Sequence, residues 1–371
     1  MNPEIHLRLP DKPGIYRMRR AKNSDPLYIG KAKSLKQRVN SYFRQKAPHA
    51  EHTLEMLTQA RELDFTLTGS ALEAAILESD EIKRRSPPYN IALRRQQRGL
   101  AFCTKDLCRH SAAVVKDFPV GPLPAGRFII TVSAFGLWLA GGMQLRTDSN
   151  MDIASAVLAL PPDYTPGIDC LRKGFEMFRE KYDGRLAHQS ALRVLTALGA
   201  QLWRERLETA AVAEMVSEKE NDKDDTDTEQ KKSGKERIWT PEAVARSIEK
   251  MVLHSAHLIR RARWFCLLSE SSLAWSSADH RDNFKMLVVL ENGSVLERDN
   301  VKAGKEAPIP PGCGKSFRAR QKNINLVTYD RLRVLTTELR RLVSDGRVIE
   351  LCLSPKVTLS RREVIRALRW V

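Results

Sequence analysis

No two cysteines of the 371-residue chain form a CxxC pair; Cys103, Cys108, Cys170, Cys266, Cys313 and Cys352 are scattered along it. That spacing argues against a disulfide framework and against a zinc or iron–sulfur site, leaving ordinary thiols. No apolar run approaches the ~20 residues of a membrane span, and the N-terminal MNPEIHLRLP lacks the apolar core of a secretory signal. The expectation is a cytoplasmic protein with no membrane partner and no small-molecule cofactor. Internal repeats are absent as well. The one phosphate-loop lookalike, PGCGKSF at 311–317, has Ile309 where the loop needs its first glycine, which argues against nucleotide hydrolysis.

Positive charge, in contrast, is abundant. The formal net charge is +17, and residues 1–98 alone carry 19 Lys plus Arg against 11 Asp plus Glu. For a chain without membrane signals, such an excess points first to nucleic acid as partner.

Local patterns divide the chain. Gly14 to Arg20 and Leu27 to Ile29 read as strands joined by the polar AKNSDP turn. Ser34 reads as the N-cap of a helix from Leu35 to about Arg44, with Leu35, Val39, Tyr42 and Phe43 at helical spacing. A second helix from about Thr53 to Arg61 leads into ELDFTLTG, whose alternating Leu63, Phe65 and Leu67 predict a half-buried strand. Ser70 opens a longer helix ended by Pro87-Pro88. The expected fold class is α/β: a small domain, residues 1–98, with a three-stranded mostly antiparallel sheet flanked by helices, followed by a helical and β-containing C-terminal region. Within the latter, LAFCTKDL and GRFIITVSAFGLWLA read as strands of a small β extension over 99–160, and 161–215 as a helical segment from about Ile168 to Met215. Residues 217–236 contain no apolar side chain, so 216–237 is expected to be an acidic and polar linker. In 238–371, an α+β region, a helix from Pro241 to about Arg263 precedes strands within WFCLLSESSLAWSS, FKMLVVLENGSVLERDNV and VIELCLSP, with a hairpin turn at Asn292-Gly293. The basic RRAR at 260–263 reads as a solvated helix end.

PGIY, LYIGKAKSLKQRVNSYF, EAAILESDEIKRRSPPYN and IALR stand in succession between Leu9 and Arg94. In order and spacing they resemble the GIY-YIG nuclease superfamily, most closely the N-terminal domain of UvrC and its shorter Cho-like relatives. The resemblance implies catalytic roles for Tyr16, Tyr28, Lys31, Arg38 and Tyr42, a metal-binding role for Glu78 and a site-organising role for Asn90. It further implies Mg²⁺ or Mn²⁺ as cofactor, DNA as substrate, a UvrB-type damage-recognition helicase as partner, and single-strand incision in nucleotide excision repair leaving 5′-phosphate and 3′-hydroxyl ends. The second nuclease domain, cysteine-rich segment and tandem hairpin module of UvrC proteins have no counterpart in the sequence, so one incision activity per chain is expected.

Each residue also has a bland reading. Two tyrosines on strands pack cores, Lys31 and Arg38 are ordinary surface cations, Glu78 is a helix carboxylate and Asn90 a turn residue. Their joint occurrence favours chemistry. Arg38 and Tyr42 are i and i+4 on one helix and share a face. Phosphodiester hydrolysis needs an activated water, a cationic clamp and charge neutralisation at the leaving oxygen. A guanidinium fork suits the phosphate, and a lone carboxylate suits a hydrated Mg²⁺. A tyrosine with its ordinary pKa of ~10 needs a nearby cation such as Lys31, or a favourable hydrogen bond, to act as a base at neutral pH, and the residues do not choose between Tyr16 and Tyr28. The rival readings are a GIY-YIG restriction or anti-phage nuclease and a non-catalytic DNA-binding module.

Overall fold

A computed structural model of the chain describes residues 9–43, 51–90, 99–143, 148–160, 166–186, 189–214, 239–276, 284–302, 309–347 and 349–369. The expected linker at 216–237 and the IALR tetrapeptide lie outside these residues. Among those described, no helix is long and apolar enough to cross a membrane. Two compact units result, one combining residues 1–99 with 263–371 and the other spanning 100–262.

The first unit begins with β1 (Gly14–Arg19), β2 (Pro26–Ala32), α1 (Leu35–Ser41), α2 (Glu51–Gln59), β3 (Glu62–Leu67) and α3 (Ala71–Arg85). The strands form an antiparallel sheet in the order β2-β1-β3. Because side chains alternate across a strand, β1 serves two cores. Tyr16 and Met18 pack with Leu35 and Val39 of α1 and Met56 of α2. On the opposite face Ile15 and Ile29 meet Ala74 and Ile82 of α3. Both helices start where the sequence predicts, since the Ser34 and Ser70 hydroxyls accept from the Gln37 and Glu73 backbone N–H groups. α1 ends at Ser41, three residues early, and α2 is displaced by two residues toward the N-terminus. β3 is less covered than its alternation predicts: it is an edge strand, and Phe65 and Leu67 are 41% and 46% exposed.

Arg17 is buried on the α3 side of the sheet. Its Nε donates to Glu81 at 2.6 Å, its Nη2 to the other oxygen of the same carboxylate, and its Nη1 to Asp64 at 2.7 Å. Arg17 and Glu81 are both nearly inaccessible, so neither charge has water to fall back on.

The second unit holds β4 (Leu100–Cys103), β5 (His110–Ser111), β6 (Val120–Pro124), α4 (Arg127–Ala140), α5 (Asp148–Val157), α6 (Ile168–Leu186), α7 (Ala191–Glu214) and most of α8 (Pro241–Leu268). The GRFIITVSAFGLWLA segment, expected to be a strand, is the helix α4. Its Ile-Ile-Thr-Val run mimics a strand locally, but Ile129, Val132, Phe135 and Trp138 recur at helical spacing and enter one core. Trp138 lies at 5.2 Å from Phe175 of α6, ring to ring. The helical segment begun at Ile168 comprises two helices. α8 outruns its expected end by five residues, so RRAR lies within a helix and not at its terminus.

Residues beyond 263 rejoin the first unit. β7 (Ser272–Ser276), β8 (Phe284–Glu291), β9 (Ser294–Lys302), β10 (Ile349–Ser354) and β11 (Val357–Ser360) form an antiparallel sheet ordered β11-β10-β7-β8-β9. WFCLL, expected within a strand, completes α8. The Asn292-Gly293 turn lies where predicted, with both residues at positive φ. α9 (Phe317–Lys322), α10 (Leu326–Ser344) and α11 (Arg361–Leu368) were not resolved as elements by the sequence patterns. The PGCGKSF segment is a brace: Lys315 Nζ sits 3.0 Å from Glu270 Oε1, and a side chain at Gly312 would collide with that buried carboxylate.

The Arg17 cluster yields a quantitative expectation. Glu81→Ala leaves a buried guanidinium with only the half-exposed Asp64 carboxylate and should cost about 3 kcal/mol in urea denaturation. Asp64→Ala, removing a half-exposed partner, should cost under about 1 kcal/mol. Equal costs would show that burial does not set the scale.

Candidate functional site

The register of β1 against β2 places Tyr16 opposite Gly30 and Met18 opposite Tyr28. A Cβ at Gly30 would stand 2.5 Å from Cζ of Tyr16 and 2.8 Å from Cε1 of Tyr28, so only glycine leaves room for both rings. Gly14 is equally constrained, since a Cβ there would strike the Thr66 carbonyl of β3. The paired glycines thus serve close packing around tyrosines.

The freed space is filled from α1. The Tyr16 hydroxyl lies 2.8 Å from that of Tyr42, and the two rings are 6.2 Å apart, edge to face. Tyr28 stands 6.1 Å from Tyr16. Arg38, one turn before Tyr42, donates from Nη2 to its hydroxyl at 3.4 Å and lies over its ring at 5.2 Å. Three phenols and one guanidinium therefore share a locus.

Glu78 approaches from α3. β2 is an edge strand, and its outward backbone groups need partners. The Leu27 carbonyl accepts from the Tyr89 N–H at 3.1 Å. Asn90 uses its whole amide on Ile29, accepting from the N–H at 2.9 Å and donating to the carbonyl at 2.8 Å. The Lys31 N–H donates to Glu78 Oε1 at 2.9 Å. Asn90 and Glu78 are thereby locked to the strand that carries Tyr28, Gly30 and Lys31.

The other acidic residues of α3 are committed elsewhere. Glu73 belongs to the Ser70 cap, Asp80 pairs with Arg331 at 2.7 Å, and Glu81 pairs with Arg17. Among the described residues Glu78 has no side-chain cation within ion-pair distance. No group of three or more His, Cys, Asp or Glu side chains is placed to hold a metal among the described residues. The donor set available to a cation is one carboxylate with neighbouring phenols, which fits a hard, water-rich ion and not zinc or copper.

Electrostatics depart from expectation in one respect. Lys31 does not serve the phenols: its Nζ pairs with Glu338 Oε1 of α10 at 2.7 Å. Burial, reinforced by their mutual proximity, pushes the Tyr16 phenol well above its ordinary pKa, and burial does the same to Tyr28. Both are neutral hydroxyls at physiological pH. Burial also raises the Glu78 carboxyl, against the opposing effect of Lys31 and its backbone N–H, with Glu338 pushing further upward.

All seven residues singled out in the sequence fall in this region. Glu338 and Arg341, which adjoin Lys31, were not anticipated. They lie some three hundred residues away in the chain, and no local motif marks them.

Residues 12–91 match the model of the UvrC-like GIY-YIG domain. The UvrABC system protein C of Psychrobacter sp. (strain PRwf-1) is 47% identical over 87 residues, covering 24% of this chain and 14% of that protein. That of Clostridium perfringens (strain SM101 / Type A) is 48% identical over 88 residues, covering 23% and 14%. The chain thus spans about 14% of the length of these curated relatives. Among solved structures, the GIY-YIG N-terminal endonuclease domain of UvrC from Thermotoga maritima, bound to magnesium, is 34% identical; the match covers 24% of this chain and 99% of that one, with a TM-score of 0.22. By the family-model match, residues 12–91 are a GIY-YIG domain of UvrC type.

The raised Glu78 carboxyl carries a sign. A group whose pKa rises on folding stabilises the native state at pH values below its unfolded pKa and loses that contribution as pH climbs through its folded value. Glu78→Gln, which retains the acceptor for Lys31 N–H, should therefore raise the thermal midpoint at pH 7 without divalent metal. The gain should vanish below about pH 4, where the native carboxyl is itself protonated. A loss of stability at pH 7 would contradict the assignment.

Proposed function

We propose that residues 1–98 form a divalent-metal-dependent DNA endonuclease domain that hydrolyses a phosphodiester bond, making one incision in nucleotide excision repair with a UvrB-type helicase as partner. The observation that carries this reading is the convergence of Tyr16, Tyr28, Tyr42, Arg38, Lys31 and Glu78 within the segment that matches the UvrC-like domain.

In the reaction a water oxygen bonds to phosphorus, the bond from phosphorus to the 3′-oxygen breaks, the water yields a proton, and the leaving oxygen gains one. Glu78 is the residue that would hold Mg²⁺ or Mn²⁺, which when bound supplies positive charge beside the phosphate and acidifies water. Arg38 presents its fork to the non-bridging oxygens, and Lys31 adds a point charge. Their preorganised positive charge stabilises the pentacoordinate phosphate more than the ground state. Tyr16 and Tyr42, with hydroxyls in contact, form a short path along which the proton of the attacking water can move. The elevated phenol pKa is consistent with a tyrosine that is neutral at rest and, once deprotonated, a strong base. Asn90 acts through geometry, keeping β2 and Glu78 in place.

The purified 371-residue chain should nick lesion-bearing duplex DNA with Mg²⁺, more strongly with the damage-recognition helicase added. Glu78→Ala and Arg38→Ala should each slow cleavage by about 10²-fold or more while retaining DNA binding. Mg²⁺ should also raise the thermal midpoint of the native chain but not of Glu78→Gln. Unchanged cleavage by both alanine variants would overturn the site, and an inert wild type under all these conditions would overturn the function.

A further inference from the structure

Residues of the matched segment 12–91 share the lining of a cavity with residues far along the chain. The cavity, of about 450 Å³, opens beside Arg38. One wall is Lys31 and Lys33 at the end of β2 with Gln37 and Arg38 of α1; the other is Glu338 and Arg341 of α10. Four cations line it against a single carboxylate. That carboxylate is 5% exposed and touches two of the cations through one oxygen, Lys31 Nζ at 2.7 Å and Arg341 Nη1 at 2.6 Å. Lys33 is tied to the same region of the chain by Asp345, 3.3 Å from its ammonium.

We propose that α10 supplies the second half of the substrate cleft, with Arg341 contacting a backbone phosphate adjacent to the cleaved one and Glu338 positioning Arg341 against Lys31. This inference rests on the endonuclease reading above.

Two considerations support it. A lysine and an arginine brought to one cleft repel each other, and a buried carboxylate between them removes that cost without consuming their remaining donors. Arg341 is 47% exposed at its side chain and spends one N–H on Glu338, so the rest of its fork faces the cavity and solvent. The occupant is a polyanion with regularly spaced single charges. Isolated dianions would be met as well by one cation cluster, but a cleft with positive charge along both walls fits a strand with consecutive phosphates.

The test uses the full chain and a fluorescently labelled nicked or lesion-bearing duplex, with anisotropy followed from 50 to 200 mM salt. Arg341→Ala should weaken binding about tenfold at the lower salt and reduce the slope of log affinity against log salt by about 0.9, the signature of one lost phosphate contact. Arg341→Lys should recover most of both. Glu338→Gln should lower the single-turnover cleavage rate more than it lowers affinity, because Lys31 loses its charged partner. Arg362→Ala, which removes an exposed guanidinium on α11 outside the cavity, should leave the slope unchanged. Wild-type binding with steep salt dependence but an unaltered slope in Arg341→Ala, or an equal loss in Arg362→Ala, would overturn this inference and leave the nuclease reading standing. A wild type that neither binds nor nicks would overturn both.

Discussion

The register between β1 and β2 is the constraint on which the site depends. A slip of one residue would exchange the faces of the strand, sending Tyr16 toward α3 and Arg17 toward α1. Each face enforces the present alignment with different physics. Toward α1, Gly30 alone accommodates the Tyr16 ring. Toward α3, Arg17 requires Glu81, and neither tolerates an apolar neighbour in its place. Packing and charge therefore specify the same pairing, and the phenol hydroxyls arrive at Arg38 as a consequence.

Glu78 belongs to a second device, the satisfaction of an edge strand by side chains. Open edges are usually a liability. Here Asn90 imitates a neighbouring strand at Ile29, and Glu78 closes the next position at Lys31. The carboxylate is thus oriented by a backbone bond that holds one oxygen, while burial disfavours its charge. Such a group gains from a cation that protein side chains do not themselves provide. At Tyr16 and Tyr28 burial likewise disfavours the ionised form, and the phenols are neutral. A buried carboxyl whose pKa is raised by desolvation beside specific charged neighbours is a pattern that clusters at functional sites.

Much of the small domain was legible because its signals are local. The hairpin, the Ser34 and Ser70 caps and the Pro-Pro stop each involve residues within a few positions of one another, and the structure places them accordingly. The seven residues singled out as a candidate site were marked by a spaced pattern, not by any property of each alone, and the structure brings them into one region. Two kinds of feature escaped. One was α4, where β-branched residues imitate a strand and only the recurrence from Ile129 to Trp138 betrays a helix. The other was the return of residues 263–371 to the unit that contains the GIY-YIG domain. Nothing local in α10 announces that Glu338 will meet Lys31, since the contact is made between segments with unrelated patterns. Lys31 was one of two routes to an acidified tyrosine, and its pairing with Glu338 lay beyond any sequence window.

The docking of α10 on α3 explains how so distant a contact is made specific. Asp80 pairs with Arg331, and three residues along α3 Lys83 pairs with Asp330 at 2.6 Å. Charges of both signs on both helices penalise translation, because sliding by one turn would bring Arg331 toward Lys83. With the register set there, helix geometry does the rest. Glu338 is seven residues from Arg331, two turns on and on the same face, about 10 Å further along the axis. That distance carries it from the middle of α3 to the end of β2, where Lys31 stands. Arg341 follows one turn later beside α1. Two interhelical salt bridges, one of them to the nearly inaccessible Asp330, thus select which side chain faces Lys31.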